Sequence, residues 1–112
     1  MADATWVQEN DSISGTESWE VSIDTTDNNT EVLELNPLLA TTVCLDVVSG
    51  DTITIQVCND IGRENLISLT DAAGSAFSTT SDDTIVISQG FSGIKVLGGS
   101  QAGATVVNVR QA

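Results

Sequence analysis

The sequence predicts an all-β domain, an antiparallel β-sandwich of jelly-roll-like form with about eight short strands. Three observations carry that expectation. Apolar and polar residues alternate through most of the chain, helical periodicity is nearly absent, and clusters of Gly, Asp, Asn and Ser interrupt the alternation every 8–15 residues or so. A length of 112 residues fits one domain with one core.

Taken in order, residues 1–12 form either an N-terminal arm or a first strand beginning at Trp6-Val7, and residues 13–112 form the sandwich. Trp19, Val21 and Ile23 share one strand face, with Ser18, Glu20 and Ser22 opposite. Asp24 to Thr30 reads DTTDNNT, which is turn chemistry. Val32 to Leu35 is a short strand stopped by Asn36-Pro37, and Pro37–Thr41 allows one helical turn at most. Val43–Val48 and Thr52–Asn59 are strands around Ser49-Gly50-Asp51. Leu66–Leu69 follows, then a polar loop from Thr70 to Asp83, then strands at Thr84–Ser88, Gly93–Leu97 and Thr105–Arg110.

Read as a three-residue hairpin loop, Ser49-Gly50-Asp51 sets Val47 opposite Ile53, Leu45 opposite Ile55 and Val43 opposite Val57. All the branched aliphatics then fall on one face, as a buried sheet face requires. The same register puts Cys44 opposite Gln56 and Cys58 one diagonal step away, about 7–8 Å, beyond the 5.5–6 Å typical of disulfides. Both cysteines are therefore expected to be free, partly buried thiols.

Composition narrows function. A net charge of −13, from sixteen acidic residues against Arg63, Lys95 and Arg110, disfavours nucleic acid and anionic membranes as partners. It favours a complementary protein surface. The segment Met-Ala-Asp-Ala-Thr shows no signal-peptide pattern, so synthesis in the cytoplasm is expected. With no histidine, Ser-His-Asp and Cys-His arrangements are excluded, as are zinc sites that need imidazole. No phosphate-cradling glycine loop is present, and the Gly98–Gly103 run fits a hairpin loop. No catalytic residue, cofactor or metal is therefore expected. Asp24, Asp27 and Asn29, or Asp82 and Asp83, are the places where a loop offers oxygen ligands to calcium, although neither matches the EF-hand spacing. Among the exposed candidates, Trp6, Val7 and Trp19 are the expected partner or oligomer contacts. The arm that carries the first two is expected to be held by a neighbouring subunit or a partner.

From Thr52 onward the chain carries a strand ending in Asn59-Asp60, a glycine at Gly62, and Asn65-Leu66-Ile67-Ser68-Leu69. Gly90-Phe91-Ser92-Gly93-Ile94-Lys95-Val96 follows, then a glycine-rich hairpin and the last strand. This punctuation resembles that of small all-β virion proteins of tailed bacteriophages, over about half the chain. The resemblance implies a non-enzymatic capsid decoration (cement) protein on the virion surface, binding the major capsid protein or another virion protein, as a homo-oligomer with a trimer favoured. The second reading is a phage tail, neck or fibre module that binds a host surface or carbohydrate.

Overall fold

The computed structural model describes residues 3–10, 17–47, 51–60, 62–70, 74–99 and 103–111. Its strands are β1 (Val7–Asn10), β2 (Glu17–Ile23), β3 (Leu33–Glu34), β4 (Thr41–Asp46), β5 (Ile53–Cys58), β6 (Ile67–Ser68), β7 (Ser78–Thr79), β8 (Asp83–Ile87), β9 (Gly93–Gly98) and β10 (Thr105–Gln111). They form two antiparallel sheets, one in the order β1-β2-β10-β4-β8 and one in the order β3-β9-β5-β6, with β7 also paired to β5. This is the all-β sandwich that the alternation predicts.

Period-two burial explains the layers. In the first sheet Val21, Ile23, Val43, Leu45, Val107 and Val109 point inward, and in the second Leu33, Ile53, Ile55, Val57, Ile94 and Val96 do so. Trp6, Trp19, Leu69, Phe77, Ile85 and Phe91 pack around that core. Each buried aliphatic side chain contributes roughly 1.5–3 kcal/mol relative to exposure, so one core of this kind accounts for why the sheets stack.

The strand phases match expectation, but one pairing does not. Val43–Val48 and Thr52–Val57 are not hairpin partners: β4 bonds β10 and β8, whereas β5 bonds β9, β6 and β7. The chain crosses from one sheet to the other between Val47 and Asp51; Val48, Ser49 and Gly50 lie outside the described residues. The physical reason is that alternation reports only that one face is buried. Leu45 and Ile55 satisfy it equally well from opposite sheets around a shared core. Asp51, expected as a turn residue, is instead fully buried, and Thr105 Oγ1 in the other sheet donates to its Oδ2 at 2.8 Å.

The cysteine expectation changes with it. Cys44 is exposed on the outer face of the first sheet, and Cys58 is buried in the second, so they share no face. Both are free thiols. The polar loop expected from Thr70 to Asp83 also contains β7, whose two residues are too few to give a periodic signal, along with a bridge between Thr70 and Ala76. At Pro37–Thr41 the chain forms a turn, with Leu38 N donating to Asn36 Oδ1 at 3.0 Å and Leu39 N to Asn36 O at 3.1 Å.

Polar residues close the ends of the sandwich. Gln111 is buried; its Oε1 accepts from Asn36 N at 2.9 Å and its Nε2 donates to Asn36 O at 3.1 Å and Thr41 Oγ1 at 3.0 Å. Thr30, also buried, donates from Oγ1 to Glu31 O and accepts from Val96 N at 3.0 Å. These side chains satisfy backbone groups where the ladders stop, which buried polar atoms require.

Candidate functional site

The outer face of the first sheet is assembled from the alternate residues of its strands. One row across it runs Val7, Glu20, Asn108, Cys44, Thr84, and the next runs Glu9, Ser18, Arg110, Thr42, Val86. Acidic side chains lie on the β1–β2 half and at the end of β4, through Glu9, Glu20 and Asp46. The β10–β4–β8 half of those two rows carries Asn108, Arg110, Thr42, Cys44, Thr84 and Val86, with no carboxylate among them. Asp46, Asp82 and Asp83 adjoin this block, lining a hollow with Cys44, Thr84 and Asn108. Val86 is 72% exposed, and Thr84 Oγ1 contacts Cys44 Sγ at 3.9 Å. A hollow of about 350 Å³ lies across this face, lined by Thr42, Cys44, Asn108 and Arg110 with Glu9 and Ser18. An arginine among uncharged side chains, with carboxylates at the rim, fits the composition of a protein-docking surface.

The residues expected as contacts distribute differently. Val7 lies on this outer face at its β1 edge, 62% exposed. Trp6 does not: it is half-buried against the core, and its Nε1 donates to Glu31 O at 2.8 Å. Trp19 is half-buried as well, beside Leu33, Leu35, Gln8, Glu17 and Gln111 in a second hollow of about 350 Å³ between the sheet ends. The arm runs along its own domain. Ala4 is buried, its N donates to Asn29 O at 2.8 Å and its O accepts from Glu31 N at 2.9 Å, and β1 pairs with β2. Within the chain, β1 pairs with β2, and Ala4 and Trp6 pack against the core.

The acidic loops spend their carboxylates on backbone N–H groups. Asp24 Oδ1 accepts from Thr26 N at 2.8 Å and Asp27 N at 2.9 Å. These bonds, the one from Asp27 foremost, hold its carboxyl below the usual range. Asp82 Oδ1 accepts from Val47 N at 2.8 Å, and Asp83 Oδ1 from Thr84 N at 2.8 Å. Among the described residues, no group of three or more His, Cys, Asp or Glu side chains is arranged to hold a metal ion. No helix there is long and apolar enough to cross a membrane.

A last cluster joins three elements. Asp60 accepts from Glu64 N at 3.0 Å and Asn65 N at 3.3 Å, and the bond from Glu64 is the main cause that lowers its pKa. Arg63, with left-handed φ of 54°, donates from Nε to Ser92 O at 2.9 Å and pairs with Glu34 at 2.9 Å. Ser92 Oγ donates to Asp60 O at 2.6 Å. Sequence reasoning registered this stretch as punctuation; the structure makes it a clamp between β3, the β5–β6 turn and β9.

Fold and surface together define a double-sheet, jelly-roll-like domain. No family model matches the sequence, and no curated protein sequence matches it. Solved structures share the fold. The Schizosaccharomyces pombe Cnp3 cupin domain aligns with a TM-score of 0.57 at 9% identity, over 96% of this chain and 59% of that one. The chain thus spans less than two thirds of that domain. Drosophila melanogaster CENP-C, solved bound to CAL1, aligns with a TM-score of 0.51 at 7% identity, over 96% of this chain and 81% of that one. A Bacillus endospore appendage protein aligns with a TM-score of 0.43 at 15% identity, over 99% of this chain and 91% of that one. For the first two, at such identities, the likeness is one of fold.

Proposed function

We propose that the chain is a non-enzymatic virion structural protein of the capsid-decoration type, made in the host cytoplasm and acting on the outer surface of a phage head through protein–protein contacts. The observation that carries a binding role is the carboxylate-free block of Asn108, Arg110, Thr42, Cys44, Thr84 and Val86 on an otherwise acidic domain. An acidic body steers the domain toward a basic surface, and the block, whose one charged residue is Arg110, brings no carboxylate of its own into the contact. Repetition over a symmetric shell multiplies a modest contact through avidity. The phage assignment itself comes from the resemblance between Thr52 and Arg110.

Electron microscopy of particles from a host expressing the chain tests it. Density at every repeat of the shell lattice is expected, lost on Asn108→Glu while circular dichroism stays unchanged. Density confined to the tail or neck overturns the decoration role. Trp19 favours the tail or fibre reading as second choice, because its hollow combines an aromatic ring with Gln8 and Glu17. Titration with oligosaccharides, followed by Trp fluorescence, would report that site.

A further inference from the structure

We infer that the hollow at Trp19 seats an arginine side chain of a partner protein, its guanidinium between the indole and the Glu17 carboxylate. Trp19 pairs with Val109, Gln8 with Trp19, and Glu17 with Gln111. All are therefore in phase with the buried Val109 and lie on the inner face of the first sheet. Leu33 and Leu35, both buried, line the hollow from the second sheet. At this end the inner face thus changes from aliphatic to polar, with Gln8 and Glu17 exposed and Trp19 half-buried. Three of its groups are uncommitted: Trp19 Nε1 and the Gln8 and Glu17 side chains make no hydrogen bond to another described residue. Their neighbours differ. Trp6 Nε1 donates to Glu31 O, and the Gln111 amide is engaged by Asn36 and Thr41.

Charge decides which ligand fits. The lining holds two carboxylates, Glu17 and Glu34, and no cation. Glu34 already takes a guanidinium, that of Arg63 at 2.9 Å, whereas Glu17 takes none. In the field of a chain of net charge −13 an anion is repelled, a neutral saccharide gains nothing, and a cation is drawn in. Arginine suits the place better than lysine. Its planar guanidinium stacks on an indole while its N–H fork meets a carboxylate, and its methylene stem covers apolar surface of the kind Leu33 and Leu35 offer. Trp19 N–H and the Gln8 amide are left for carbonyls of the peptide that carries the arginine, which a small cation lacks. A volume of about 350 Å³ holds one long side chain of this sort. The inference stands apart from the capsid reading: a chain that binds arginine here and never decorates a phage head sinks that reading alone.

The probes are N-acetyl-arginine amide, N-acetyl-lysine amide and maltotriose, titrated into the full isotope-labelled chain and followed by nuclear magnetic resonance. The two tryptophans give two indole N–H resonances, which Trp19→Phe assigns. The arginine probe should shift the Trp19 resonance saturably in the millimolar range and leave that of Trp6 in place. Glu17→Gln should weaken binding about tenfold. Asp27→Asn removes the same charge beyond the opposite end of β2 and should weaken it by roughly twofold at most. The lysine probe should bind several-fold more weakly, and maltotriose should cause no shift. No saturable shift at Trp19, equal responses to arginine and lysine, or equal losses in Glu17→Gln and Asp27→Asn overturn the inference. A stronger response to maltotriose overturns it in favour of the oligosaccharide reading. Glu17 is exposed, so Glu17→Gln is expected to fold; should it not, the ranking of the three probes on the parent chain decides alone.

Discussion

Gly93 shows how narrowly one residue is specified. It stands opposite Cys58 in the β5–β9 ladder, and a Cβ there would lie 2.8 Å from Cys58 Sγ and 3.0 Å from Val32 Cγ1. Gly93→Ala therefore forces Cys58 and Val32 aside and should destabilise the domain by about 1–3 kcal/mol. Adding Cys58→Ala removes the nearer obstacle, so the double variant should recover part of the loss, a coupling of roughly 0.5 kcal/mol or more. Urea unfolding of the four chains measures the cycle, and strict additivity would show that the sulfur is not the obstruction. This assigns Cys58 a packing role: it fills the space a glycine leaves, and its Sγ sits 3.9 Å from Ser92 Oγ.

Among the elements, the turn after β5 couples stability to acid. The bonds Asp60 accepts from Glu64 N and Asn65 N exist for the carboxylate, so its pKa is lowered on folding. A lowered pKa means stability that is present above the ordinary carboxylate value near 3.9 and lost as pH falls through the folded value. Asp24 behaves alike, through Asp27 N and Thr26 N. Asp60→Ala should lower the melting temperature at pH 7, and the difference from the parent chain should shrink below about pH 4. A difference that stays constant with pH would show that the carboxylate charge is irrelevant to the turn. Such local chemistry was legible in the sequence: Asp24 and Asp60 stand in polar runs that announce turns, and Val43, Leu45, Ile53, Ile55 and Val57 face inward as alternation required. Strand partnership was not legible. β10 runs between β2 and β4, joining residues sixty or more positions apart, and no local pattern encodes that choice. The carboxylate-free block was hidden for the same reason, because Thr42, Thr84 and Asn108 become neighbours only once β4, β8 and β10 lie side by side.

For the whole molecule the governing quantity is the charge of −13 on a body measuring 35 × 34 × 25 Å. Close confinement of like charges opposes the compact state. The ion pair at hand, Arg63 with Glu34, is solvent-exposed on the Glu34 side and of a kind worth about 0–1 kcal/mol. At about 0.01 M salt the Debye length of ~30 Å matches the size of the domain, so its carboxylates repel one another across the full width. At about 0.15 M the length falls to ~8 Å and only neighbours on one face still interact. The melting temperature should therefore rise over that range of sodium chloride, by several degrees if screening restores about 1 kcal/mol. Calorimetry at fixed micromolar protein measures the shift. A melting temperature that falls with salt would mean that the pairings of Arg63, Lys95 and Arg110 outweigh the repulsion among sixteen acids.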